Sequence, residues 1–303
     1  MKTLILLFVL ILPHGLLAQQ ISDNDYNPVL KKPAYKAGKG PLVFIDEGHH
    51  NFHTKEGRYK PFANLLERDG YVVKSYEGNF DRKKLNRGKI LVISNALNEM
   101  NVENWYLPTP SAFTADEIGI VKQWVYDGGS LFLIADHMPM AGASADLAAA
   151  FGFEFTNGFA IQKERSNVDY FSLEKGTLVE SALTKGRDNS ENVRQIVSFT
   201  GQSFKIPEDA TPILVFDDQY SNYLPDTAWV FNEKTPQHSA QGWSQGAFKK
   251  FGKGRIVVFG EAAMFSAQLA GPVRRKIGMN SENAPENFQL VLNILHWLDR
   301  KIE

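Results

Sequence analysis

Four short runs of the chain are apolar at every position, and each halts at polar residues. Leu42-Val43-Phe44-Ile45 stops at Asp46, and Ile90-Leu91-Val92-Ile93 stops at Ser94-Asn95. Leu131-Phe132-Leu133-Ile134-Ala135 stops at Asp136-His137, and Ile256-Val257-Val258-Phe259 stops at Gly260-Glu261. A strand with one face in water alternates polar and apolar residues. A strand with no polar position is buried on both faces, the situation of a parallel sheet covered by helices. The intervening segments have helical spacing. Tyr59, Phe62 and Leu66 share a face, with Pro61 in the first turn. Thr114 and Glu117 form a capping-box pair ahead of Ile118, Val121, Trp124 and Val125, and Gly128-Gly129 ends that helix. Residues 142–151 read as an Ala-rich helix. Phe288, Val291, Leu292, Leu295 and Ile302 line a last one, and Tyr71-Val72-Val73 reads as a short outer strand. This order, with right-handed crossovers, predicts an α/β fold with a doubly wound, mostly parallel sheet.

Residues 153–250 break the pattern. They lack a helical period, are rich in Asn, Asp, Gly, Ser and Thr, and read as a β-rich insertion. Expected strands cover residues 194–204, 212–216 and 228–231, with a hairpin over 246–259 turning at Gly252-Lys253-Gly254. Residues 41–303 then form a single domain. Residues 19–40 are polar and aperiodic and read as a flexible lead-in. Before them, Lys2, the apolar run Leu4–Leu12 and the small residue Ala18 have the layout of a signal peptide over residues 1–18. The expected location is therefore exported, periplasmic or secreted. The apolar run is too short to span a bilayer, so no stable membrane insertion is expected.

Charge and cysteine content exclude several functions. Thirty-three Lys and Arg against 34 Asp and Glu give a formal net charge of −1, which offers nothing to nucleic acid. There is no Cys, hence no disulfide, thiolate metal site or thiol nucleophile. Neither a phosphate-binding loop nor a dinucleotide fingerprint is present, and Ser94 lacks the Gly-x-Ser-x-Gly setting of a nucleophile elbow.

In doubly wound sheets, ligands bind beyond the carboxyl ends of the strands. Here those ends carry Asp46-Glu47-Gly48-His49-His50-Asn51, then His53, Ser94-Asn95, Asp136-His137 and Gly260-Glu261. Carboxylates gathered in a partly buried cleft must take up protons, pair with cations or bind a metal. The candidate catalytic residues are Asp46, Glu47, His49, Asp136, His137 and Glu261. His50, Asn51, Asn95 and Arg58 are candidate substrate-binding residues. A divalent metal as cofactor suits the mixed oxygen and nitrogen donors, with His49, His53, His137 and Asp136 as candidates. Asp46 and Asp136 equally suit helix caps, and His50 or His53 a solvated loop. His296 reads as a packed histidine. Trp105, Tyr106 and Trp243 suit either sugar stacking or ordinary packing.

The stretches Phe44-Ile45-Asp46-Glu47-Gly48-His49 and Gly128-Gly129 through Asp136-His137 resemble an uncharacterised bacterial family of the class I glutamine amidotransferase-like superfamily. So do Gly260-Glu261 and Asn293-Ile294-Leu295-His296-Trp297-Leu298. The resemblance covers most of residues 40–300. It implies a three-layer flavodoxin-like fold and relatives among trehalose-utilisation-like proteins and gliding-motility or intraflagellar-transport domains. The amidotransferases use a Cys at a strand-to-helix elbow. The matching position here carries Asp136-His137, so glutamine amidotransfer does not suit this chain. Two functions stay open. One is a hydrolase acting on a small or carbohydrate-like substrate. The other is a non-catalytic domain that binds a carbohydrate or peptide.

Overall fold

The computed structural model describes residues 20–164 and 168–303. The segment read as a signal peptide lies outside them. Along the chain run β1 (Leu42–Asp46), α1 (Lys60–Arg68), β2 (Val72–Tyr76), β3 (Ile90–Ser94), α2 (Ala115–Tyr126), β4 (Ser130–Ile134) and α3 (Met140–Ala149). From the end of the insertion onward come β5 (Ser244–Phe251), β6 (Gly254–Phe259), β7 (Ala267–Ala270), β8 (Arg275–Gly278) and α4 (Asn287–Leu298).

Among the described residues the largest sheet has nine strands, with β2, β1, β3, β4, β6 and β5 as consecutive neighbours. The pairs from β2 through to β6 are parallel, and β5 returns antiparallel to β6. The fold is thus mixed α/β with a large, mostly parallel sheet. Alternate strand residues enter two cores, as the pleat requires. Val43, Ile45, Val92, Phe132 and Val257 pack with Phe62 and Leu66 of α1 and Val291 and Leu295 of α4. Phe44, Leu91, Leu133 and Val258 pack with Val121 and Trp124 of α2 and Leu147 of α3. Each such buried side chain contributes roughly 1.5–3 kcal/mol. No helix among the described residues is long and apolar enough to cross a membrane.

The insertion is β-rich, and its last hairpin is the β5–β6 pair. Two expected strands differ. Residues 194–204 break into Gln195–Ser198 and Phe204–Lys205, because Thr200 has φ +81°. Residues 228–231 form no strand. Trp229 has φ +67°, and the local apolar residues close over a cleft instead of joining a sheet.

The lead-in also differs from expectation. Gln20–Ser22 is a strand paired with β7, the Ala34 amide donates to Asp69 at 2.7 Å, and the Tyr35 hydroxyl donates to Asp299 at 2.8 Å. Tyr26, Leu30 and Tyr35 pack on the core. Three spaced apolar residues are enough to anchor a segment whose overall polarity suggested disorder.

Candidate functional site

The strand-end acids and histidines form two separate groups. In the first, His49 is buried between the rings of Phe80 and Phe113, at 4.5 and 4.7 Å. Its Nδ1 lies 2.9 Å from Asp46 Oδ2, and its Nε2 lies 3.0 Å from Glu117 Oε1. Asn51 donates to Asp46 at 3.0 Å. Glu117 also completes the expected capping box and accepts from the Phe80 amide at 3.0 Å. Burial acts against a charged ring, but the two carboxylates outweigh it and hold the His49 pKa above its ordinary value. Burial likewise opposes the charge on Glu117, and His49, Thr114 and Phe80 together pull its pKa down. The result is an Asp–His–Glu ion triad with every polar atom engaged, and it does not line the cleft described next. Glu47 is similarly occupied, accepting from the Lys55 amide at 2.7 Å and the Ser75 hydroxyl at 2.8 Å. His50 is exposed with φ +48°. Arg58 lies 3.8 Å over the Phe52 ring, behind the cleft wall.

The second group lines a cleft of about 260 Å³ that holds His53, Asn95, Asp136, His137 and Glu261. Its floor is the carboxyl ends of β3, β4 and β6. Asn95 joins these ends. Its side-chain oxygen accepts from the Asp136 amide at 2.8 Å, its amide donates to Ile134, and its carbonyl accepts from Phe52. Asn95 has φ +49°, a region Asn tolerates better than most residues. Glu261 is fully buried, and its two oxygens accept from the Ala263 and Met264 amides at 2.7 Å each. Gly201 backs it. A Cβ there would lie 2.2 Å from the Gly260 carbonyl and 2.8 Å from Glu261, so only glycine allows the approach.

Burial, reinforced by the charge of Asp136, pushes the Glu261 pKa well above the carboxylate range. Burial raises Asp136 as well, against the opposing influence of His137 and Asn95. A carboxyl whose folded pKa is raised stabilises the fold below its unfolded pKa and loses that contribution as pH rises through the folded value. Asp136→Asn is therefore expected to gain stability over the wild type at pH 8 and not at pH 4, measured by urea unfolding at both.

His137 Nδ1 lies 2.7 Å from the Met138 carbonyl, which fixes the proton there and leaves Nε2 as an open lone pair in the neutral ring. That nitrogen is 3.9 Å from Asp136 Oδ1. The ring stacks on Phe159 at 4.2 Å and meets the edge of Trp229 at 4.6 Å. His53 lies deeper, stacked on Tyr59 at 4.5 Å with Nδ1 3.1 Å from Ser94 Oγ. Burial, helped by Arg58, lowers its pKa to about 3. It is a weak base, so Ser94–His53 is poorly suited as a nucleophile pair.

Of the metal candidates, His53, His137 and Asp136 line the cleft and His49 belongs to the triad. No group of three or more His, Asp or Glu among the described residues is arranged to hold a metal ion. Sequence reasoning missed Trp229, Phe199, Gln268, Arg275 and Gln20 as cleft residues, because none sits at a strand end of the main sheet. Trp105, noted as a stacking candidate, does line the cleft, whereas Trp243 packs on His238 at 4.7 Å. His296 is packed as expected, with Nε2 2.6 Å from Asp69.

The molecule is thus a mixed α/β domain with an acid and imidazole cleft across neighbouring ends of a parallel sheet. No family model and no curated protein matches the chain. Among solved structures it is similar to the mmIFT52 N-terminal domain, with a TM-score of 0.59, 14% identity and coverage of 85% of this chain and 97% of that one. A ThuA-like protein from Bacteroides uniformis aligns at 11% identity over 91% of this chain and 96% of its own, with a TM-score of 0.44. A protein of Salmonella typhimurium, STM3548, aligns at 12% identity over 85% and 98%, with a TM-score of 0.48. The first likeness agrees with the resemblance drawn from the strand-end motifs and concerns the fold alone.

Proposed function

We propose that this chain is an exported hydrolase of doubly wound, flavodoxin-like fold, acting on a small or carbohydrate-like substrate in the Asp136/His137/Glu261 cleft. The strand order around β1 and β3, with helices on both faces, supports the fold reading. One observation carries the chemistry. An open imidazole nitrogen lies 3.9 Å from a carboxyl that burial favours in its protonated form, inside an aromatic-walled cleft. In the reaction, water attacks the electrophilic centre and gives its proton to His137 Nε2. The leaving oxygen takes the proton held by the Asp136/Glu261 pair. The imidazolium then returns a proton to the carboxylate, restoring the site. General acid–base pairs of this kind contribute about 10²–10⁴-fold in rate.

One feature favours a second reading, a non-catalytic binding domain. The cleft lining contains Trp105 and Trp229 as stacking faces and no hydroxyl side chain among the described residues. A turnover assay on a panel of glycosides and esters, with and without chelator, separates the two. Hydrolysis that requires His137 supports the enzyme, and ligand binding without turnover supports the binding domain.

A further inference from the structure

We infer that the cleft continues into a cationic subsite and that its ligand is an acidic saccharide, an extended polyol carrying carboxylate or sulfate groups. This rests on the Asp136/His137/Glu261 cleft being the functional site and names its substrate class. A second depression adjoins that cleft and shares Phe199 and Arg275 with it as common wall. Its lining adds Arg274, Lys276, Ser281 and Asn283, with Glu282 as the single opposing acid among the described residues. Arg274, Arg275 and Lys276 are consecutive, exposed, and form no ion pair with any described residue. Some other cations do have acid partners, as Arg82 with Asp127 at 2.6 Å, Lys249 with Asp209 at 2.6 Å, and Arg187 with Glu191. What sets Arg274, Arg275 and Lys276 apart is that they are consecutive and line one depression beside the cleft.

Three adjacent like charges repel one another, and Arg274 is further held at φ +52°, where a non-glycine residue is strained. An anion placed among them relieves the repulsion, and guanidinium groups match carboxylate and sulfate oxygens in geometry. The first cleft supplies the other half of the recognition. Trp229 is 53% exposed there and presents an apolar face to a sugar ring. The acids beneath it are biased towards their protonated forms, so they repel an anionic ligand less than two free carboxylates would.

The test is calorimetric binding of a galacturonate tetrasaccharide, a κ-carrageenan tetrasaccharide, which carries sulfate and no carboxylate, and neutral cellotetraose to the full chain. At least one acidic probe is expected to bind about tenfold tighter than the neutral one, and to weaken as salt rises from about 50 to about 300 mM. The two acidic arms tell carboxylate from sulfate. The double variant Arg275→Ala/Lys276→Ala is expected to erase the acidic preference while the melting temperature stays unchanged. Equal affinity for all three probes, binding of none, or a retained preference in the double variant overturns the inference. His137→Phe separates this from the functional reading. Acidic binding that depends on Arg275, with no turnover of any substrate, keeps the subsite and removes the hydrolase. Turnover of a neutral glycoside that depends on His137, with no acidic preference, does the reverse.

Discussion

Replacing His49 by alanine is expected to destabilise the protein by about 3–5 kcal/mol near pH 6, measured by urea unfolding. The ring is the only cation in the buried triad. Removing it leaves Asp46 and Glu117 facing an apolar gap between Phe80 and Phe113. The size of the effect should depend on pH with two limbs. Glu117 has a lowered pKa, so its contribution is present above the ordinary value of 4.5 and is lost as pH falls through the folded value. His49 has a raised pKa, so its contribution is present below the ordinary 6.5 and is lost as pH rises through the folded value. The gap between wild type and variant is therefore widest between these limits and narrows on both sides. A double variant, Asp46→Asn with His49→Ala, is expected to be less unstable than His49→Ala alone, since one of the stranded charges is gone. A pH-independent loss below about 1 kcal/mol would mean the triad is not an ion cluster.

The second large effect falls on turnover. His137→Ala is expected to lower kcat/KM by about 10²–10⁴ on whichever panel substrate the wild type hydrolyses. Alanine also empties the stack between Phe159 and Trp229, so a loss of activity with alanine alone is open to a packing explanation. His137→Phe answers it by keeping an aromatic ring in the stack while removing Nε2. The phenylalanine variant is expected to lose as much activity as the alanine variant and to keep a melting temperature close to wild type. Full activity in His137→Phe removes the imidazole from the chemistry. It leaves the cleft as a binding surface.

What could be read in advance followed from burial. β1, β3, β4 and β6 announced themselves because a strand covered on both faces has no place for a polar residue. The Thr114–Glu117 capping box was legible because both partners lie within one helical turn. Asp136, His137 and Glu261 meet in one cleft because neighbouring parallel strands end on the same rim. Asp46 and His49 also end a strand, yet they turn towards Glu117, 68 residues further along. No local pattern encodes that direction. It depends on where α2 begins in space. Trp229 was hidden for the opposite reason. Ala228-Trp229-Val230-Phe231 has strand composition, and only the tertiary placement of His137 and Phe159 beneath it draws the indole out of a sheet.

The Gln20–Ser22 strand has a practical corollary. It is zipped to β7, one arm of the hairpin that bears Arg275, and Gln20 itself borders the cleft. The backbone of Gln20 therefore sits at the edge of the cleft. A bulky graft spliced on at that point should slow ligand entry, while an identical graft after Glu303 should not, because that residue sits by Arg255 and α4 at the opposite end of the strands.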